Sequence, residues 1–144
     1  MKDLSPIVEL LAKESAVDFA YLFGSQATGK SGPLSDLDIA VYLDRRTDRW
    51  KYRLTLMEKL SKLLKRDDVD VVVLNDAPPL LAHEVTRSGT VLKDDRAKRI
   101  PFEAGVIRAY LDTAHLRQIH RKALPEQFRK GISFGQQRSN SRPD

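Results

Sequence analysis

Cysteine is absent from this 144-residue sequence, so disulfides and thiolate-held metal sites are excluded. Nothing points to an oxidising compartment. Long apolar runs are missing too: no stretch is long enough to span a bilayer, and the first residues read as the start of a folded helix rather than a signal peptide. The expected location is therefore the cytoplasm, with no membrane contact. Histidine is scarce. The three present, His83, His115 and His120, share no metal-ligand spacing and are read as surface or packing residues. Internal repeats are absent, and at 41% hydrophobic content the length suits one domain with a useful core.

The net charge of +5 is unevenly distributed. From His115 onward there are seven Lys/Arg against two acids, while the rest of the chain carries eighteen of each sign. A basic end of this kind is compatible with RNA, DNA or an acidic protein. A nucleic-acid reader would show more organised basic and aromatic positions, so a solvated helix face and tail is the preferred reading. The expected organisation is one domain over residues 1–124 and a basic tail over 125–144, frayed from Gly131 on.

Hydrophobic patterning gives the elements. Ser5-Pro6 is read as the N-cap and first turn of a helix with Ile7, Val8, Leu10 and Leu11 on its apolar face. Asp18 to Phe23 reads as a buried strand ending at Gly24. After a turn-rich stretch, Leu37, Ile39, Val41 and Leu43 alternate with Asp38, Ala40 and Tyr42, which predicts a second strand. A helix is expected over 48–65, with Trp50, Leu54, Met57, Leu60 and Leu64 as its core stripe. Val69 to Leu74 is a third strand and Pro78-Pro79 restarts a helix that Gly89 ends. Val91-Leu92 is a short edge strand, and a long helix follows from about Pro101 to Lys122. The order α-β-β-α-β-α-β-α predicts an α/β or α+β fold, a small mixed sheet flanked by helices.

The segment from Phe23 to Asp38 carries the chemistry. Asp36 and Asp38, at i and i+2 on a strand, point to the same side, where both can grip one hard cation or two adjacent ones. Two acids side by side repel each other, and Mg²⁺ is the usual means of offsetting that repulsion. Alone, such a pair reads as a turn cap and a solvated acid. Here Gly24-Ser25 stands upstream, at the end of a strand and separated from Asp36 by residues 26–35. Gly24 lets the backbone approach an anion, and Ser25 with the following amides can hold a triphosphate close to the paired acids. A third carboxylate is available at the start of the third strand, where Val69, Val71 and Val73 face the core. Asp70 and Asp68 share the opposite face, and Asp70 is preferred because Asp67-Asp68 reads as a loop pair.

Gly24-Ser25, residues 26–35, then Asp36-x-Asp38 resembles the signature of the DNA polymerase β-like nucleotidyltransferase superfamily. More narrowly, the short chain resembles the minimal nucleotidyltransferase (MNT) domains, the antitoxin partners of HEPN-domain toxins. The Val69–Leu74 strand, the Pro78/Leu80/Leu81 helix, Gly89-Thr90-Val91-Leu92 and the Phe102–Arg117 helix follow that layout, so the likeness covers about residues 5–120. The resemblance implies a polymerase β-like fold and transfer of AMP from ATP to a tyrosine of a HEPN toxin, silencing the toxin's ribonuclease activity. It further implies two Mg²⁺ ions held by Asp36, Asp38 and Asp70, with Asp70 accepting the proton of the attacking hydroxyl, and Gly24 and Ser25 binding the nucleotide. Two other readings stay open: a small-molecule nucleotidyltransferase of the aminoglycoside-modifying kind, and an antitoxin that neutralises its toxin by binding alone. Little chain follows Asp95, which favours an acceptor brought by another protein.

Several other residues attract attention. Arg45, Arg46 and Arg49 are within reach of phosphate if the loop after the second strand folds back, though a solvated loop is preferred. Lys30 is a weaker option for a γ-phosphate. Trp50 is read as core rather than as a base-stacking platform. Tyr21 is read as buried, with Tyr42 and Tyr110 nearer a site or partner.

Overall fold

Alternation along Leu37–Leu43 sets the architecture, because each strand buries one set of side chains on either face of a single sheet. The computed structural model describes residues 3–24 and 37–114. In chain order these form α1 (Ser5–Ala12), β1 (Val17–Phe23), β2 (Leu37–Leu43), α2 (Arg49–Leu64) and β3 (Val69–Val73). A short 3₁₀ turn (Leu74–Asp76), α3 (Pro79–Ser88), β4 (Thr90–Lys93) and α4 (Arg96–Asp112) follow. The sheet order is β3-β2-β1-β4. β1 runs antiparallel to β2 and β4, whereas β2 and β3 are parallel, joined by the α2 crossover. The expected mixed sheet flanked by helices is therefore present, with its elements in the expected order.

One face of the sheet, bearing Leu22, Ile39, Val41, Leu43, Val69 and Val71, packs against Ile7 and Leu11 of α1 and Leu56 and Leu60 of α2. The other face carries Phe19, Tyr21, Ala40 and Tyr42 and is covered by Leu81 and Val85 of α3 and Phe102 of α4. Phe19 and Tyr42, paired across β1 and β2, stack with ring centroids 4.9 Å apart, and Phe102 leans on both. This aromatic cluster fills the second face toward the C-terminal end of β2, leaving Asp38 toward the other end. Beyond β2, the Asn75 amide donates to the Leu43 carbonyl (3.0 Å) and accepts from its N–H (2.9 Å), acting as a substitute strand partner.

Four expectations are corrected. Ser5 is not the N-cap of α1: Leu4 holds that position, and Asp3 accepts bonds from both the N–H and the hydroxyl of Ser5. Trp50 is not core. It is 69% exposed and Leu54 47% exposed, while α2 buries Leu56 and Leu60 with Tyr52, Met57 and Leu64 partly covered. At about 3.6 residues per turn the line through Leu56 and Leu60 runs back past Arg53 and Arg49, which leaves Trp50 and Leu54 more than a quarter turn away. Third, α4 starts at Arg96, so Pro101 lies inside the helix. Asp95 begins it, and Arg99 braces the first turns by bonding Asp94 (2.6 Å) and Glu103 (3.2 Å). Tyr42 is the fourth: it packs in the aromatic cluster rather than at a site.

The expected end of the last helix, the boundary at 124/125, His115, His120 and the basic C-terminal end lie outside the described residues. Among the described residues, no helix is long and apolar enough to cross a membrane.

Candidate active site

Three chain segments meet at the N-terminal end of β2. β1 delivers Phe23 opposite Asp38, and the chain then turns at Gly24 with φ +80°. β3 delivers Asp70 as the direct register partner of Asp38. Because β2 and β3 are parallel and Ile39 and Val71 both enter the α1/α2 core, Asp38 and Asp70 project together from the opposite face. Two acids on adjacent strands of one face otherwise repel, and a cation between them removes that cost.

Gly24 is fitted to this arrangement. A Cβ built on it would lie 2.6 Å from Oδ2 of Asp38, closer than non-bonded atoms approach. The positive φ independently favours glycine. The β1 turn thus lies against the Asp38 carboxylate, and a side chain at position 24 would have to displace that carboxylate as well as strain the turn.

Asp70 is half exposed, and its Oδ1 accepts a 3.0 Å bond from Nη2 of Arg53. The same guanidinium donates through Nε to the Val71 carbonyl at 2.6 Å. Asp68, the competitor, is engaged elsewhere: both its oxygens are gripped by Arg66, at 2.5 and 2.6 Å. Its carbonyl accepts from the Leu37 N–H at 3.0 Å and so opens the β2/β3 ladder.

Asp36 and Ser25, expected to complete the site, lie outside the described residues, as does Lys30. Among the described residues, no cluster of three acidic or imidazole ligands forms, and Asp38 with Asp70 is the pair present. Two carboxylates on one face, one with an oxygen that has no protein partner among the described residues, suit hard oxygen-seeking divalent cations such as Mg²⁺.

The arginines after β2 are far from this pair. Arg46 pairs with Asp44 and Arg49 with Asp76, at the C-terminal end of the strand, about 20 Å from Asp38 along β2. His83 stacks on Tyr110 with ring centroids 3.7 Å apart, so it is a packing residue as expected. Tyr21 is buried and its hydroxyl donates to Glu103 at 2.5 Å. Burial, then the Glu103 bond and charge, push its pKa far up. Arg53 was not expected. Its sequence context, one basic residue among several on α2, carries no signal for this role.

The family model described as "Polymerase beta, Nucleotidyltransferase" matches residues 5–98. The chain is 30% identical over 136 residues to the protein adenylyltransferase MntA of Aphanizomenon flos-aquae, covering 86% of this chain and 85% of that one. Among solved structures it resembles a toxin–antitoxin crystal structure with AMP-PNP, at 29% identity and TM-score 0.74, covering 85% of this chain and 98% of the other. It also resembles a chain of the tri-AMPylated Shewanella oneidensis HEPN toxin in complex with MNT antitoxin, at 28% identity and TM-score 0.66, covering 83% and 92%. With Asp38 and Asp70 paired beside the Gly24 turn, these likenesses converge: the chain belongs to the polymerase β nucleotidyltransferase family, on the branch of the MNT antitoxins.

Proposed function

We propose that this chain transfers AMP from ATP to a tyrosine hydroxyl of a HEPN toxin and thereby acts as the antitoxin of that protein. The observation that carries the reading is the register pairing of Asp38 with Asp70 on one sheet face, with Gly24 packed against the Asp38 carboxylate. The likeness to MntA and to an MNT antitoxin complexed with an AMPylated HEPN toxin supports the choice of nucleotide and acceptor.

In this reading Gly24 and Ser25 receive the triphosphate, because a turn without a side chain lets backbone amides approach its oxygens. Asp36, two residues before Asp38, joins Asp38 and Asp70 as a ligand of two Mg²⁺ ions. Bound there, these ions supply charge neutralisation at the phosphates. Asp70 accepts the proton of the acceptor hydroxyl as its oxygen bonds to the α-phosphorus. The bond from the α-phosphorus to the bridging oxygen breaks, and pyrophosphate leaves with that electron pair. The protein contributes mainly position and fixed charge, which matter most in transfers of this type. The reaction takes place in the cytoplasm, where ATP is at hand. In this reading residues 1–124 are the minimal nucleotidyltransferase domain and 125–144 a basic tail.

The test is incubation of the purified chain with Mg²⁺, the cognate HEPN protein and ATP labelled at either the α- or the γ-phosphate. Label from the α-position alone, on a toxin tyrosine, is the expected result. Tight binding without label, or label on an added aminoglycoside, would overturn the reading.

A further inference from the structure

Arg53 belongs to α2, which covers the α1/α2 face of the sheet, yet its guanidinium meets an acid that projects from the other face. It does so by passing round the edge of β3. Backbone alternation shows why that route is open. The Asp68 carbonyl bonds the Leu37 N–H and so points toward β2, and the carbonyl of Asp70 shares that direction. The Val71 carbonyl therefore points outward, and β3 is the terminal strand of the sheet. Arg53 Nε takes this outward acceptor at 2.6 Å while Nη2 holds Asp70 Oδ1 at 3.0 Å.

The planar fork of donors makes the two bonds interdependent. Anchored on the main chain of β3, the guanidinium cannot follow the Asp70 carboxylate if that group rotates. One oxygen of Asp70 is held, and among the described residues the other has no bonded partner. The side chain of Arg53 is only 28% exposed, so the contact is partly shielded from water. A surface ion pair would not need a backbone anchor, and the pair of Arg49 with Asp76, also made from α2, shows none among the described residues.

We infer that Arg53 is a positioning residue of the nucleotidyl-transfer site: tied to the Val71 carbonyl, it fixes the Asp70 carboxylate so that one oxygen is presented for metal binding and proton transfer. The inference rests on the proposed function for its chemistry, and on the geometry alone for the orientation of Asp70. Arg53 touches neither nucleotide nor acceptor in this scheme.

The experiment compares Arg53→Met, Arg53→Lys and Asp70→Asn with the parent in the full chain. Mn²⁺ binding is followed by electron paramagnetic resonance without nucleotide, and AMP transfer to the cognate HEPN protein is followed in parallel. Removing an outer partner of a metal ligand typically costs about 10–100-fold in affinity or rate. The expected result for Arg53→Met is a loss of that size in both Mn²⁺ affinity and kcat, with KM for ATP changed less than about threefold. Arg53→Lys, which keeps a charge near Asp70 but not the fork, recovers part of both. Mn²⁺ bound by Arg53→Met as tightly as by the parent, or more tightly, overturns the inference, as does a loss of melting temperature with metal affinity intact. If Arg53→Met does not fold, the lysine variant decides: full parental Mn²⁺ affinity and kcat overturn the inference, and intermediate values support it. A parent that transfers no AMP while Arg53→Met still weakens Asp70-dependent Mn²⁺ binding would remove the proposed function and leave the positioning role standing.

Discussion

Gly24 and Asp38 are in such close contact that a single added carbon on Gly24 would stand 2.6 Å from Oδ2 of the aspartate. The turn after β1 and the carboxylate on β2 are therefore one mechanical unit. Gly24→Ala is expected to strain the turn, where a side chain at positive φ costs roughly 1–2 kcal/mol, and to push the carboxylate aside. AMP transfer should fall by at least about tenfold, since small displacements of a reacting centre are costly. Initial rates and melting temperature together check this, and a rate within twofold of the parent would contradict it.

Asp38→Asn and Asp70→Asn keep shape and remove charge. Each is expected to lower transfer by about 100-fold or more while leaving the fold intact, because the loss falls on charge stabilisation in the reaction rather than on packing. Chelation of divalent ions should give the same loss in the parent. Transfer assays with and without EDTA, alongside circular dichroism, distinguish this from unfolding. Undiminished transfer by the double variant would refute the site.

The two apolar stripes conceivable for α2 make opposite predictions. Leu56, which only the observed stripe contains, is fully buried, so Leu56→Ala should cost about 2–5 kcal/mol. Trp50 is mostly exposed, and Trp50→Ala should change stability by less than about 0.5 kcal/mol. Denaturant unfolding of both variants checks the pair.

Glu14 gathers the Tyr52 hydroxyl and the Lys59 ammonium (2.9 Å), while its carbonyl accepts from Lys93 at 3.0 Å. Burial raises its pKa, but the bonds from Tyr52 and Lys59 and the charges of Lys59 and Lys93 outweigh that, and the net shift is downward from 4.5. A depressed carboxylate stabilises the fold fully above its unfolded pKa and loses that contribution as pH falls through the folded value. Glu14→Gln should therefore melt lower than the parent at neutral pH and show a flatter decline in acid. Melting temperatures between about pH 3 and 7 test this.

The pairing of Asp38 with Asp70 was legible because alternation is a local property. Leu37 to Leu43 and Val69 to Val73 each announce which side chains share a face, and pairing of the two strands then brings Asp38 beside Asp70. Glycine at position 24 reads as the end of a strand where the backbone can approach an anion; its packing against Asp38 was not legible, because it depends on how β1 pairs with β2. The phase of α2 was not legible either, because a helical stripe through Leu60 can run by way of Trp50 and Leu54 or by way of Leu56, and only packing against β2 and β3 selects between them. Arg53 was illegible for a deeper reason: its contact runs round the edge of a sheet whose strand order is a tertiary fact. The early start of α4 depends likewise on Arg99 bracing Asp94 and Glu103, against the ordinary preference of proline for a first turn.

The parallel register of β2 and β3 also guards against misfolding. A slip of one residue in either strand would turn its aspartate inward, among Leu56 and Leu60, and move Ile39 or Val71 toward the partly exposed place that aspartate leaves. Burying an unpaired carboxylate is far more costly than exposing a valine. The acids that form the site thus act as proofreaders of the sheet: a chain that has paired its strands wrongly cannot hide the error in its core.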